Sequence, residues 1–270
     1  MILSAIGVVV AVTTALWVAR HGARIRAAQR DLGASHARTQ VELERLNDQL
    51  QRVAVVEQRR SADREDFDRY RNPLLVAAYD LGERVDMIRH GGFGERLRAG
   101  AERQRDTTLR STAFRVARYF AVVELLGAVL SQDAPGHGDA GVRAVAGLVE
   151  RIGCAFATQA LDPVEGATRA RWVFWREEQR AIGELMSVAA DSGSPRSAGY
   201  ALFVREYDDR YAPWFADFVA DLQTGPVAES RRLACLHRLL ADLVVHLDER
   251  RTYTRLDDSG HPTAPEWIIV

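Results

Sequence analysis

The chain contains no lysine, because all 36 of its basic residues are arginine. It therefore offers no amine for Schiff-base chemistry and no lysine for a P-loop. The formal net charge is −1, so the chain lacks the overall positive field typical of nucleic-acid binding, and we expect no nucleic acid as a partner. A basic set made only of arginine is typical of coding bias in a GC-rich genome. The bidentate arginine fork also suits carboxylates and phosphates.

Cysteine is nearly absent as well. Cys154 and Cys235 both lie beside apolar stripes, where buried free thiols are common, and two cysteines imply no disulfide framework. The G-x-S-x-G, H-E-x-x-H, C-x-x-C and dinucleotide-binding motifs are all missing. The pairs Asp86–His90 and Asp242–His246 have helical spacing for two ligands each, but neither has a cysteine or third histidine close by in sequence. We therefore predict no catalytic residues, no cofactor and no metal.

Alternating apolar and polar runs bounded by turns, which strands would require, are also missing. Apolar residues instead recur every three or four positions in each long segment. The sequence therefore predicts an all-α fold in four parts: a transmembrane anchor at 1–20, a juxtamembrane coiled-coil-like helix at 21–71, a bundle of about six helices at 72–250, and a C-terminal tail at 251–270.

The predicted anchor is Ile2–Ala19, a run without a single charge. As a helix it would be roughly 27 Å long, close to the roughly 30 Å hydrocarbon core of a bilayer. No positive residue precedes it and no clean cleavage site ends it, which favours an uncut anchor over a signal peptide. Arg20, Arg24, Arg26 and Arg30 follow, and positive charge stays on the cytoplasmic side. We expect a single-pass cell-membrane protein with a cytoplasmic body; export or cleavage is the alternative.

A heptad seam follows the anchor. Leu43, Leu46, Leu50 and Val53 are its apolar centre, at alternating spacings of three and four. A seam this short favours either a marginal parallel homodimer or a helix lying on its own body, and the sequence does not choose between them.

Turn and cap signals divide the predicted bundle. Asn72–Pro73 should begin a new helix, and Asp162–Glu165 resembles a capping box that opens a helix carrying Trp172 and Trp175. The aromatic stripe from Tyr200 to Phe218 is predicted to be core rather than the wall of a ligand site. The closing Trp267–Val270 should dock either on the bundle or on a partner.

Acidic residues on apolar stripes are the candidate polar site. Glu178 continues the stripe of Trp175 and Ile182, so it should point inward and be paired or neutral. The candidate buried polar cluster comprises Glu178, Arg180, Glu184, Glu124 and Arg84. A buried ion pair that fixes helix register is the simpler interpretation, and a functional acid is the other.

Several segments of the sequence resemble those of a known group of proteins: Tyr70–Leu75, Ala77–Leu81, Ser111–Phe114, Arg118–Ala121 and Glu178–Glu184. In these patches, spread over roughly residues 65 to 250, the chain resembles an uncharacterised family of N-terminally membrane-anchored bacterial helical proteins. No activity is known for that family. The resemblance therefore implies an architecture without a mechanism, and it draws attention to Glu178, Arg180 and Glu184.

Together these observations predict a membrane-anchored cytoplasmic helical protein used for binding or scaffolding. Its contacts would be the bilayer, through Ile2–Ala19, and a second copy, through Leu43–Val53. The alternative is an enzyme of unrecognised type with an acid and arginine pocket in the bundle.

Overall fold

The computed structural model describes residues 2–130, 140–161, 172–189, 195–224, 227–255, 263–265 and 267. Within its helices, the side chains of 2–16, 18–21, 23–39, 59–60, 62–64, 66, 128–130 and 224 lie outside this description. The fold of the described residues is all-α, with bundle-like packing in the body. The predicted fold class is confirmed at that level.

The elements, in chain order, are helices α1 (Ile2–His90), α2 (Phe93–Ala99), α3 (Glu102–Leu130), α4 (Ala140–Ala157) and α5 (Arg176–Met186), strands β1 (Ser187–Val188) and β2 (Arg196–Ser197), then α6 (Tyr200–Arg205), a π-helical turn (Tyr207–Tyr211), α7 (Ala212–Thr224), a 3-10 turn (Val227–Glu229) and α8 (Arg231–Leu247). The two strands form a single antiparallel pair, with Ser187 opposite Ser197.

The chain divides into two units, 1–59 and 60–270, and the division falls inside α1. In the second unit α3 packs along α5, and α4 packs along α8. Gly183 permits the first of these contacts, because a Cβ there would lie 2.8 Å from the backbone oxygen of Phe120. Phe120 of α3, Phe156 of α4 and Phe174, which precedes α5, pack together with ring centroids 5.0 to 6.0 Å apart.

The predicted helix start at Asn72–Pro73 is wrong, because α1 continues through Pro73 to His90. A proline inside a helix removes one backbone hydrogen bond and strains the preceding turn. Pro73 is exposed, while the next two residues, Leu74 and Leu75, are buried. Packing of this buried face therefore outweighs the local break signal.

The helix predicted to carry Trp172 and Trp175 begins later, at Arg176. Residues 172–175 lie outside regular secondary structure, and the capping-box sequence 162–165 lies outside the described residues. Trp172 is 1% exposed and its ring lies against the guanidinium of Arg232, with Cζ 4.6 Å from the ring centroid. Arg232, equally buried, donates to the backbone oxygens of Trp172 and Thr158. This interaction holds an irregular segment that lies outside any helix.

Two other predictions are settled by burial. The core assignment of the aromatic stripe is confirmed in part: Tyr207, Tyr211 and Phe218 are buried, whereas Tyr200 and Trp214 are each 37% exposed. The closing segment docks on the bundle at its one described residue in 266–270: Trp267 is 7% exposed. The other four residues of that range lie outside the described part of the chain.

Among the described residues, no helix has both the length and the apolar character needed to cross a bilayer. The predicted anchor Ile2–Ala19 lies in α1, but of its side chains only that of Trp17 is described, and it is 62% exposed.

Candidate functional site

Glu178, which the sequence places on an apolar stripe, serves as a helix cap. It is the third residue of α5, and its Oε2 accepts a hydrogen bond from the backbone N–H of Trp175 at 2.8 Å. Its side chain is half-buried rather than enclosed. The carboxylate therefore satisfies a free N–H at the start of the helix and does not reach into the core.

Three other predicted residues meet at the surface. Glu124 of α3 and Arg180 of α5 approach to 3.7 Å, with side chains 34% and 71% exposed. Glu184, one turn after Arg180, is exposed as well. These residues do not form a buried cluster; instead they line one groove between α3, α4 and α5, of about 720 Å³. That this groove has a function stays a prediction.

The floor and rim of this groove differ in chemistry. Tyr119 lies at the floor, and its buried hydroxyl has no hydrogen-bond partner among the described residues. Burial raises the pKa of Tyr119, against an opposing effect of Arg176. At the rim Arg176 pairs with Glu150 and approaches Cys154 Sγ at 3.2 Å. Cys154 is exposed, not buried as the sequence predicted, and Cys235 is half-buried.

Arg84 lies apart from the groove. Its Nη2 donates to Ser111 Oγ at 3.3 Å, and its guanidinium lies 5.9 Å from the ring centroid of Phe93. Burial, followed by the nearby charge of Arg115, lowers the pKa of Arg84 to about 10. The structure therefore assigns Arg84 to the packing between α1, α2 and α3.

A second polar cluster joins Asp86 and His90 of α1 to His237 of α8. His90 Nδ1 lies 2.8 Å from Asp86 Oδ1, and His237 Nε2 lies 3.2 Å from the same oxygen. One ligand atom from each residue falls within 4.8 Å of the other two. The sequence predicted the Asp86–His90 pair as a weak one without a third ligand, and the tertiary structure supplies that ligand.

His237 is the buried member of this cluster, at 7% exposure. Its Nδ1 lies 3.2 Å from Arg89 Nη1, and its ring centroid lies 4.9 Å from that of Trp267. Desolvation is the main reason that the pKa of His237 is lowered, and Arg89 adds to it while Asp86 opposes it. Burial therefore disfavours the charged imidazolium of His237, and the neutral imidazole is the form that binds metals.

The sequence contained one signal for His237. It is four residues after Leu233 and three before Leu240, so it shares their apolar face of α8 and should be buried. That a face of α8 meets the end of α1 is a long-range contact, which no local pattern predicts.

The other Asp and His pair is different. His246 is exposed, and its Nδ1 lies 2.8 Å from the backbone oxygen of Asp242. In the described part of the chain, no third residue joins Asp242 and His246 in a group that could hold a metal ion.

In the first unit, the centre of the heptad seam is open to solvent. Leu43, Leu46, Leu50 and Val53 are 60%, 55%, 61% and 64% exposed. Exposed aliphatic residues at this regular spacing form a continuous apolar stripe along the helix.

Comparison of the chain with protein-family models, with curated proteins and with solved structures finds no match. The resemblance of residues 65 to 250 to membrane-anchored helical proteins therefore stays a prediction, and the function has to be inferred from the surfaces and clusters described above.

Proposed function

We propose that the protein is a membrane-anchored helical binding protein whose cytoplasmic body is presented by a parallel coiled coil of two copies. The observation that carries this proposal is the exposed seam of Leu43, Leu46, Leu50 and Val53. Assigning Leu43 and Leu50 to heptad position a, and Leu46 and Val53 to position d, places all four side chains at the contact between two such helices.

The flanking residues are compatible with self-association. In the same register, positions e and g around the seam are Glu42, Asn47, Gln49, Ala54 and Val56. Only Glu42 is charged, and in a parallel pair it faces the uncharged Asn47 of the second copy, so two identical helices place no like charges opposite each other there. Glu57 and Arg60 then fall at a and d and limit the apolar contact to about three turns.

Such a short seam needs help to dimerise. Fully burying a Leu or Val side chain is worth about 1.5–3 kcal/mol, while association costs about 4–15 kcal/mol in lost freedom of motion. Eight partly buried side chains therefore give a marginal dimer in solution. An anchor at Ile2–Ala19 would hold both copies in one bilayer and raise their effective concentration, which removes part of the cost.

The cytoplasmic location of the body is inferred from the positive charges that follow the proposed anchor. Arg20, Arg24, Arg26 and Arg30 follow the uncharged run, and in single-pass proteins such residues stay in the cytoplasm. A reporter fused after Val270 should therefore be active only on the cytoplasmic side, and a periplasmic signal would contradict this part of the proposal.

Site-directed cross-linking in membranes tests the dimer. Cys154 and Cys235 are first replaced by serine in the full-length chain, and a single cysteine is then introduced by Leu46→Cys. Facing d positions in a parallel pair bring the two thiols together, so mild oxidation should give a covalent dimer. The matched control is Asp48→Cys, an exposed residue at position f on the outer face of the helix.

The two cysteine positions separate the outcomes. Rapid cross-linking at 46 with slow cross-linking at 48 supports the parallel coil, and adding Leu50→Asp to Leu46→Cys should abolish it. Equal cross-linking at both positions, or none at either, would reject the seam as a dimer contact.

A further inference from the structure

We propose that Asp86 Oδ1, His90 Nδ1 and His237 Nε2 form a binding site for a divalent transition-metal ion of the zinc class. This site is independent of the coiled coil, because its residues lie in the second unit, between the end of α1 and the middle of α8. Both groups of the Asp86–His90 pair lie on one helix face at a separation of four residues, which is a spacing that metal-binding helices use.

The distances fit a tetrahedral ion. With bonds of about 2.0–2.1 Å, the ligand atoms of tetrahedral zinc lie roughly 3.3 Å apart. Asp86 Oδ1 is 2.8 Å from His90 Nδ1 and 3.2 Å from His237 Nε2, and all three atoms fall within 4.8 Å of one another. The distance between Asp86 Oδ1 and His90 Nδ1 would lengthen by a few tenths of an ångström, and the exposed His90 ring can move to complete the geometry.

The state of His237 is a second, independent observation. Its side chain is 9% exposed and its Nε2 faces the Asp86 carboxylate, yet among the described residues that nitrogen makes no hydrogen bond of acceptable geometry. The contact with Asp86 Oδ1 at 3.2 Å satisfies this buried ring nitrogen only weakly, which costs free energy. Coordination of an ion at this position would satisfy the nitrogen, and it is the ligand chemistry that a neutral imidazole provides.

The donor set decides which ions fit. Two imidazole nitrogens and one carboxylate oxygen suit Zn²⁺, Co²⁺, Ni²⁺ or Fe²⁺, whereas Mg²⁺ and Ca²⁺ prefer oxygen ligands alone. His90 is exposed, with 55% of its side chain accessible, so water can occupy the fourth position. Catalytic zinc sites likewise have three protein ligands and one open position.

Arg89 opposes metal binding at this site. A guanidinium can only donate, so Arg89 Nη1, 3.2 Å from His237 Nδ1, favours the tautomer with its proton on Nε2. Metal binding through Nε2 needs the other tautomer, with the proton on Nδ1 donated to an acceptor. Arg89 must therefore turn away when the ion binds, and its present position weakens the site.

This restraint gives a variant that should gain affinity. In Arg89→Gln the side-chain amide oxygen can accept the Nδ1 proton of His237, as outer-sphere partners of metal-bound histidines do. Because such partners typically change affinity about 10–100-fold, we expect Arg89→Gln to bind at least about 10-fold more tightly than the natural chain.

The experiment titrates the chelator-stripped full chain with Co²⁺, a visible probe of zinc-type sites, and follows the d–d absorption and the competition by Zn²⁺. We expect one bound ion per chain, a rise in thermal stability with Zn²⁺, and no response to Mg²⁺. His90→Ala should abolish Co²⁺ binding. Because His90 is exposed, this variant should fold like the natural chain. The matched control is His246→Ala, which removes an exposed histidine at the same spacing from an aspartate and should change nothing.

His237→Ala removes a buried ring, so its folding is checked by circular dichroism, and His90→Ala carries the test if that variant does not fold. The proposal is overturned if the natural chain and Arg89→Gln both fail to bind Co²⁺. It is also overturned if His90→Ala and His246→Ala lower the affinity equally, since binding would then be adventitious histidine chelation.

Discussion

The indole of Trp267 occupies the space next to Gly82 in which a side chain at that position would begin. A Cβ on Gly82 would lie 3.1 Å from the Cε2 atom of the indole and still closer to other ring atoms. The same ring packs against Tyr79 and His237, with centroids 6.4 and 4.9 Å away. The docking of this tryptophan on α1 therefore requires a glycine at position 82.

Gly82→Ala should displace Trp267 and lower the free energy of unfolding by about 1–3 kcal/mol, although alanine favours helix more than glycine does. Thermal or denaturant unfolding of the full chain measures the loss. In the Trp267→Ala background the indole is absent, so the same Gly82→Ala change should be neutral or stabilising. Additive losses in the double variant would show that the two residues do not compete for one space.

Asp248 closes the loop after α8. Its carboxylate accepts hydrogen bonds from the backbone N–H groups of Thr252, Tyr253 and Thr254 and from the Thr254 hydroxyl, at 2.8 to 2.9 Å. Burial is the largest single effect and works against the charge, but these hydrogen bonds together outweigh it and hold the pKa of Asp248 below its usual value.

Because the pKa of Asp248 is lower in the folded state, its carboxylate stabilises the fold above the unfolded value of about 3.9. That contribution is lost as the pH falls through the lower folded pKa. Asp248→Asn should lower the free energy of unfolding by about 1–3 kcal/mol at pH 7. The amide group would place an N–H donor where the backbone N–H groups need an acceptor. Its deficit should shrink toward pH 2–3, as measured by urea unfolding across pH. Asp242→Asn, an exposed aspartate on the same α8, should show no comparable deficit.

Glu178 and Glu184 belong to the same helix but to opposite ends of it. Glu178→Ala removes the cap on the Trp175 N–H and a negative charge near the N-terminus, so it should destabilise by about 0.5–1 kcal/mol. Glu184→Ala removes an exposed negative charge near the C-terminus of α5 and should be neutral or slightly stabilising. Thermal denaturation of the two variants compares them directly. A larger loss at Glu184 would contradict the capping role.

The candidate polar residues show how far sequence reasoning reached. The stripe of Trp175, Glu178 and Ile182 predicted an inward carboxylate, but Trp175 precedes α5 and is itself 49% exposed. Once the helix starts at Arg176, Glu178 falls at its third position, where a carboxylate caps. The error therefore came from the helix boundary, which the sequence placed near Asp162 and which propensity defines poorly.

The sequence by itself determined the all-helical class and most of the buried stripes, because the spacing of apolar residues is a local property that each segment carries alone. Only the tertiary structure decided that α1 passes through Pro73, that Trp267 lies against Gly82, and that His237 meets Asp86 and His90. These are contacts between residues distant in the chain, or a local preference overruled by packing, and their free energies exist only once several helices have assembled.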